Sequence, residues 1–267
     1  MKIAFIGGGT MGEALLKSLI ARSVAGAKDI TVSDVSQQRR DILKKSYGVK
    51  TTTTLEAARK AEVIVLAIKP QDVPAVLHEL KGLSAKHLVL SIAAGVTLET
   101  LRQGLNHNCL VRAMPNMPAQ IGEGVTVWTA SANVNQKQKD MAKSILSAAG
   151  EELYVNNEKY IDMATALSGS GPAYVFLVIE ALTDAGVHIG LPRNMAEKLV
   201  VETVIGSARA VKTTAKHPAE LKNMVTSPGG TTAEGILQLE TGGLRSLLLR
   251  AVIAAFDKAK SLGAKKD

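Results

Sequence analysis

Short apolar runs separated by helical-period stretches fill the chain as far as Val155, and from about Asn157 the apolar positions lengthen into helical runs with no convincing strand among them. Residues 2–6 are too short a run for a helix, while Ala14, Leu15, Leu16, Leu19 and Ile20 recur at helical spacing, so the beginning reads as strand, tight turn, helix. Residues 30–34 predict a second strand, followed by a helix over 37–46 that stops at Tyr47-Gly48. Val49 and the threonine run 51–54 predict a weak third strand. Residues 63–68, 88–92 and 109–113 predict buried strands, the first ended at Lys69-Pro70 because proline has no N–H for the ladder. Pro115 and Pro118 hold 114–118 extended, and strands at 125–128 and 153–155 flank a polar helix over 135–149. In the second half, 172–186 contains Ala173 to Ile179 without a polar break, and 246–259 is apolar around Arg250.

Strands alternating with helices imply a parallel sheet, so the expected fold is an α/β dinucleotide-binding domain over 1–157 followed by an all-α domain over 158–267. A helix apolar on every side must be buried on every side. A domain of about 110 residues has too little volume to surround several such helices, which implies that another subunit covers them.

The turn after the first strand reads Gly7-x-Gly9-x-x-Gly12. Gly7 permits the turn, Gly9 lets the backbone approach a pyrophosphate, and Gly12 lets helix and strand pack closely, with the free amides of the helix start facing the anion. Asp34, at the end of the second strand, suits a free ribose 2′-hydroxyl, whereas Ser33, Ser36, Arg39 and Arg40 suit a 2′-phosphate, so this corner leaves NAD and NADP both open. Lys69 and the Ala93-Ala94-Gly95 turn lie at strand ends that face the ligand crevice.

A second glycine-rich stretch runs Ser227-Pro228-Gly229-Gly230-Thr231-Thr232. Thr231-x-x-Glu234 has capping-box spacing, which places a helix start at Thr231–Thr232. The amides left over could hold a carboxylate, and a plain capped helix after a turn is an equal alternative. Ser168-Gly169-Ser170-Gly171-Pro172 has the same small-residue character ahead of the long helix.

Composition narrows the class. The chain has 267 residues, 46% of them hydrophobic, with no uninterrupted apolar run near the ~20 residues of a membrane span. The net charge of +8 is scattered and few aromatics accompany it, so an anionic cofactor and a carboxylate substrate are expected partners, and nucleic acid is not. Met1 lies directly before the first strand, which predicts a cytoplasmic protein without a signal peptide. Cys109 is the only cysteine, so neither an intrachain disulfide nor a cysteine-rich metal site is expected, and no metal is called for.

Gly7-Gly8-Gly9-Thr10-Met11-Gly12, Ala67-Ile68-Lys69-Pro70, Ala93-Ala94-Gly95-Val96-Thr97, Met114-Pro115-Asn116, Leu167 through Tyr174, and Ser227 through Thr232 together resemble the pyrroline-5-carboxylate reductases. The resemblance implies an amino-terminal Rossmann domain, a helical dimerisation domain, often dimers assembled into decamers, and reduction of Δ1-pyrroline-5-carboxylate to L-proline with NADPH, the favoured cofactor, or NADH. It implies a cofactor set of Gly7, Gly9, Thr10, Met11, Gly12, Ser33, Asp34, Ser36, Arg39, Thr54, Ala67, Ile68, Lys69, Pro70, Ala94, Gly95 and Asn116. It also implies a substrate set of Glu158, Ser227, Gly230, Thr231 and Thr232, with the Thr232 hydroxyl on the ring nitrogen as the catalytic contact. Met224 stands where some members carry Asn. The helix over 172–188 has no lysine, and its one histidine, His188, is at the end; that suits an imine, which arrives protonated, better than a carbonyl, which needs an acid. The runner-up readings are a related two-domain reductase of hydroxy or keto acids and a dinucleotide sensor without turnover.

Overall fold

In the computed structural model, which describes residues 1–263, the first half runs β1 (Ile3–Ile6), α1 (Thr10–Ala21), β2 (Ile30–Ser33), α2 (Gln37–Tyr47), β3 (Lys50–Thr51), α3 (Thr54–Arg59), β4 (Val63–Leu66), α4 (Val73–Glu79), β5 (Leu88–Ser91), α5 (Leu98–Leu105), β6 (Leu110–Met114), β7 (Gly124–Ala130), α6 (Gln136–Ser147) and β8 (Gly150–Tyr154). The rest is helical: α7 (Lys159–Ala164), α8 (Gly171–His188), α9 (Arg193–Thr214), α10 (Pro218–Met224), α11 (Thr231–Thr241) and α12 (Leu244–Gly263).

The strands form one sheet in the order β3-β2-β1-β4-β5-β6-β7-β8, parallel at every pair except β6 with β7. The order reverses direction at β1, between β2 and β4, and in such Rossmann-like sheets the crevice at that switch point is where a nucleotide binds. The central strands are apolar throughout because both faces are covered. Phe5, Val65 and Leu90 pack with Leu15, Leu16 and Leu19 of α1, and Ala4, Ile64 and Val89 pack on the other side with Leu77 and Leu101. Each buried leucine-sized side chain contributes about 1.5–3 kcal/mol.

The third strand is shorter than expected. Thr52 still donates its N–H to Val32 O at 3.1 Å, but Thr53 turns into the extended N-cap of α3, and Thr54 is helical. The strand expected over 63–68 ends at Leu66, although the Ala67 N–H continues the ladder to Ile6 O at 2.8 Å. The polar helix begins at a capping box between Asn135 and Gln138.

By contacts the chain forms two compact units, Met1–Ser170 with the chain from Ala254 onward, and Gly171–Ile253, a partition that differs from the expected 157/158. The start of the helical half stays with the sheet because Ile161 and Ala166 are buried there and because Glu158 and Asp162 pair with Arg112 of β6. In the second unit α8 and α9 pack where Gly186 faces Ala196, with a Cβ on Gly186 only 3.1 Å from Ala196 Cβ. Most apolar side chains of α8 are exposed, Phe176 and Leu177 among them.

Between α7 and α8 the backbone makes a π-helical turn, Thr165–Gly169, and the helical run Lys159–His188 is long and apolar enough to cross a membrane by length and composition alone. Glu180 and Asp184 interrupt its apolar sequence.

Candidate active site

Gly7 leaves β1 at φ +97° and donates its N–H to Ser33 O at 2.7 Å. A Cβ on Gly7 would lie 2.4 Å from Ala67 O, and one on Gly12 would lie 2.6 Å from Gly7 O. Both glycines are therefore required by close approach. Gly9 is the extended N-cap of α1 and has no side chain to cap the first turn; a Cβ there would meet nothing within 4 Å. The helix thus starts with uncapped amides at Thr10 and Met11 on an open side, which suits a pyrophosphate. Gly12→Ala must displace the turn, so it is expected to weaken NADPH and NADH alike by tenfold or more in a fluorescence titration; unchanged Kd values would contradict this role for the turn.

Beyond β2 a cleft of about 500 Å³ is lined by Ser33, Asp34, Arg40, Thr52, Thr54 and Glu79. Ser33 Oγ and Thr54 Oγ1 are 3.0 Å apart, so two residues of the expected cofactor set meet here. Asp34 is turned to the backbone: its Oδ2 accepts the Gly8 N–H at 2.8 Å and its Oδ1 the Ser36 N–H at 2.9 Å. Ser36 caps α2, accepting the Arg39 N–H at 3.2 Å.

Arg39 is not among the residues that line this cleft. Its Nε donates to Gly8 O and its Nη2 pairs with Glu13 in the first turn of α1. Burial would raise the Glu13 carboxyl, but the Arg39 guanidinium and the Tyr47 hydroxyl, 2.7 Å away, outweigh it and hold it below the usual range. Burial and then Glu13 push Tyr47 up.

Ala67 and Ile68 press on Gly7, and Met11 packs on the core. Lys69 is exposed at the start of the turn Pro70–Asp72. Ala94 is half-buried, and Gly95, at φ +74°, lies against Leu262 with 2.9 Å from a would-be Cβ to Leu262 Cβ. Asn116 is buried, and its Oδ1 accepts the Val125 N–H at 2.9 Å, which fixes the start of β7.

Glu158, expected at the substrate, accepts at one oxygen both the Leu98 N–H and Arg112 Nη1, each at 2.8 Å. Arg112 Nη2 reaches Asp162 at 2.6 Å, and the arginine is 2% exposed with no partner for Nε among the described residues. Sequence reasoning passed over Arg112; the signal was one charge inside the apolar run 109–113.

In the second unit Gly229 sits at φ +66°, and Gly230 donates its N–H to Ser227 O at 3.0 Å. Thr231 is the first helical residue, so the expected Thr231/Glu234 capping box is not formed. Gly230 takes the N-cap instead, in extended geometry and without a capping side chain. A Cβ on Gly230 would lie 2.5 Å from Ser227 Oγ. The amides of Thr231 and Thr232 therefore lack a side-chain cap from the N-cap residue, which suits an anion, and Thr232 is half-buried while Thr231 is exposed. Met224 is exposed ahead of this loop.

Residues 158–262 match the family described as pyrroline-5-carboxylate reductase dimerisation, and 2–95 match NADP oxidoreductase, coenzyme F420-dependent. A pyrroline-5-carboxylate reductase of a Synechocystis strain is 45% identical over 266 residues, 99% of each chain. The solved reductase of Coxiella burnetii superposes with TM-score 0.91 at 40% identity, covering 99% of both chains. That of Plasmodium falciparum, with NADP bound, gives TM-score 0.91 at 34% identity, covering 99% of this chain and 98% of its own. With two uncapped, glycine-led helix starts and full-length likeness of this order, the chain belongs to the pyrroline-5-carboxylate reductase family.

Proposed function

We propose that the chain reduces Δ1-pyrroline-5-carboxylate to L-proline with a hydride from NAD(P)H, as the last step of proline biosynthesis. Residues 1–157 serve the cofactor, and 158–267 serve the substrate and a second copy of the chain. The observation that carries the reading is the uncapped start of α11 behind Gly229-Gly230, a carboxylate receptor in a chain whose β1–α1 turn suits a dinucleotide.

NAD(P)H supplies the hydride. The Thr231 and Thr232 amides hold the substrate carboxylate, and the Thr232 hydroxyl contacts the ring nitrogen and orients the ring. The imine enters protonated: hydride adds to its carbon, the C=N electron pair moves to nitrogen, and that nitrogen keeps its proton as the amine of proline. No further acid is required, in keeping with an α8 that carries no lysine. Cofactor contacts fall to Gly7, Gly9, Thr10, Met11 and Gly12 at the turn, and to Ser33 and Thr54 in the cleft.

The exposed apolar side chains of α8 and α12 are the basis for a homodimer, alone or within a larger assembly such as a decamer, rather than for a membrane span. The basic charge draws in anionic cofactor and substrate, not nucleic acid, and the enzyme works in the cytoplasm.

Thr232→Val keeps the shape and removes the hydroxyl. Losing a hydrogen bond to a buried polar group costs roughly 1–3 kcal/mol, so kcat/KM for pyrroline-5-carboxylate is expected to fall about five- to a hundred-fold while NADPH binding is unchanged. Full kcat/KM in the folded variant would remove Thr232 from the catalytic role, and wild-type turnover of 2-keto acids in place of the imine would overturn the substrate.

A further inference from the structure

We infer that the two adjacent arginines of α2 divide the cofactor corner: Arg40 reads a 2′-phosphate, and Arg39 is a positioning residue for the glycine turn. The inference rests on the nucleotide role proposed for the β1–α1 turn, and it assigns the residue that separates a 2′-phosphorylated cofactor from an unphosphorylated one.

Arg39 is already engaged. It joins the carbonyl of Gly8 to Glu13, and Tyr47 closes the cluster from the end of α2. Glu13 lies in the first turn of α1, where a bare carboxylate would repel the anion that the helix start attracts. Arg39 cancels that charge and ties the turn to α2. Its own charge is thereby compensated, so it offers little to a phosphate.

Arg40 differs on each count. Its Nη1 donates to the Asp34 carbonyl and its Nη2 to the Gln37 side-chain oxygen, both neutral acceptors, so its charge is held in place without being cancelled. Among the described residues no ion pair is recorded for it, and part of its five-donor fork remains for a ligand. It lines the cleft that also contains the Ser33 and Thr54 hydroxyls.

Asp34 would ordinarily favour a free 2′-hydroxyl. Here its two oxygens brace Gly8 and Ser36, so it acts as a clamp on the backbone. Asp34 and Glu79 are both carboxylates of the lining, which makes Arg40 the group on which tolerance of a dianion depends.

The test is fluorescence titration of the full-length protein with NADPH and NADH, and competition by 2′,5′-ADP and 5′-AMP. Arg40→Ala is expected to raise Kd for NADPH and 2′,5′-ADP about ten- to a hundred-fold and to leave NADH and 5′-AMP within about twofold, with Arg40→Lys intermediate. Arg39→Ala is expected to weaken NADPH and NADH alike, and Glu13→Gln combined with Arg39→Ala to recover most of the loss. A general stabilising role for Arg39 would show no such recovery. Equal effects of Arg40→Ala on both cofactors, or a selective effect of Arg39→Ala on NADPH, would overturn the assignment. Wild-type protein that bound neither dinucleotide would overturn the nucleotide reading itself, a different result from either.

Discussion

Val178→Asp is expected to abolish self-association and activity together. Val178 is 39% exposed on α8 beside Phe176 at 48% and Leu177 at 63%, and α12 presents Leu247, Leu248 and Ile253 in the same condition. So much exposed apolar side chain on a chain of this family calls for a second copy to cover it. An aspartate at 178 would then be carried into an apolar interface without a partner, at a cost of several kcal/mol. Sedimentation should show monomers, and activity should not return at concentrations where the wild type is fully assembled. A well-folded, fully active monomer would refute the argument.

Arg112→Met is expected to cost about 3–5 kcal/mol of stability, the usual consequence of removing one member of a buried ionic cluster. Methionine fills similar space, but Glu158 and Asp162 are then left without the guanidinium that neutralises both, and the Leu98 amide keeps a carboxylate with nothing to balance it. Urea midpoints at fixed protein concentration measure the loss. If the cluster is the cause, adding Glu158→Gln and Asp162→Asn to Arg112→Met should restore part of it. A midpoint within experimental error of wild type in the single variant would show that the cluster contributes nothing.

The parts of the fold that could be read from the sequence are those whose cause is local. Gly7 and Gly12 are written by a positive φ and a close contact, and the buried strands by unbroken apolar runs. The third strand was over-read because a threonine run has strand propensity, yet Thr53 can equally cap a helix. The N-cap before α11 was placed one residue late, since Gly230 and Thr231 are both acceptable caps and the Gly230–Ser227 hydrogen bond chooses between them. Arg39 and Arg40 are neighbours in sequence but about 100° apart around a helix, so their division of partners had no sequence signal. The partners of Arg112 had no sequence signal for a related reason: Asp162 lies in a helix far along the chain and Glu158 at that helix's N-cap.

Gly7, Gly12 and Ala67 share one small volume. A Cβ on Gly7 would strike the Ala67 carbonyl, and one on Gly12 would come within 3.1 Å of Ala67 Cβ, although residue 67 lies beyond three intervening strands of sequence. Energies at such sites are not additive, because each position sets the room left for the others. As the sequence drifts, the three should therefore be inherited as a set: a larger side chain at 67 is tolerable only after the turn has moved, and a moved turn no longer fits its nucleotide. Epistasis of this kind closes off mutational paths that each single exchange would appear to leave open.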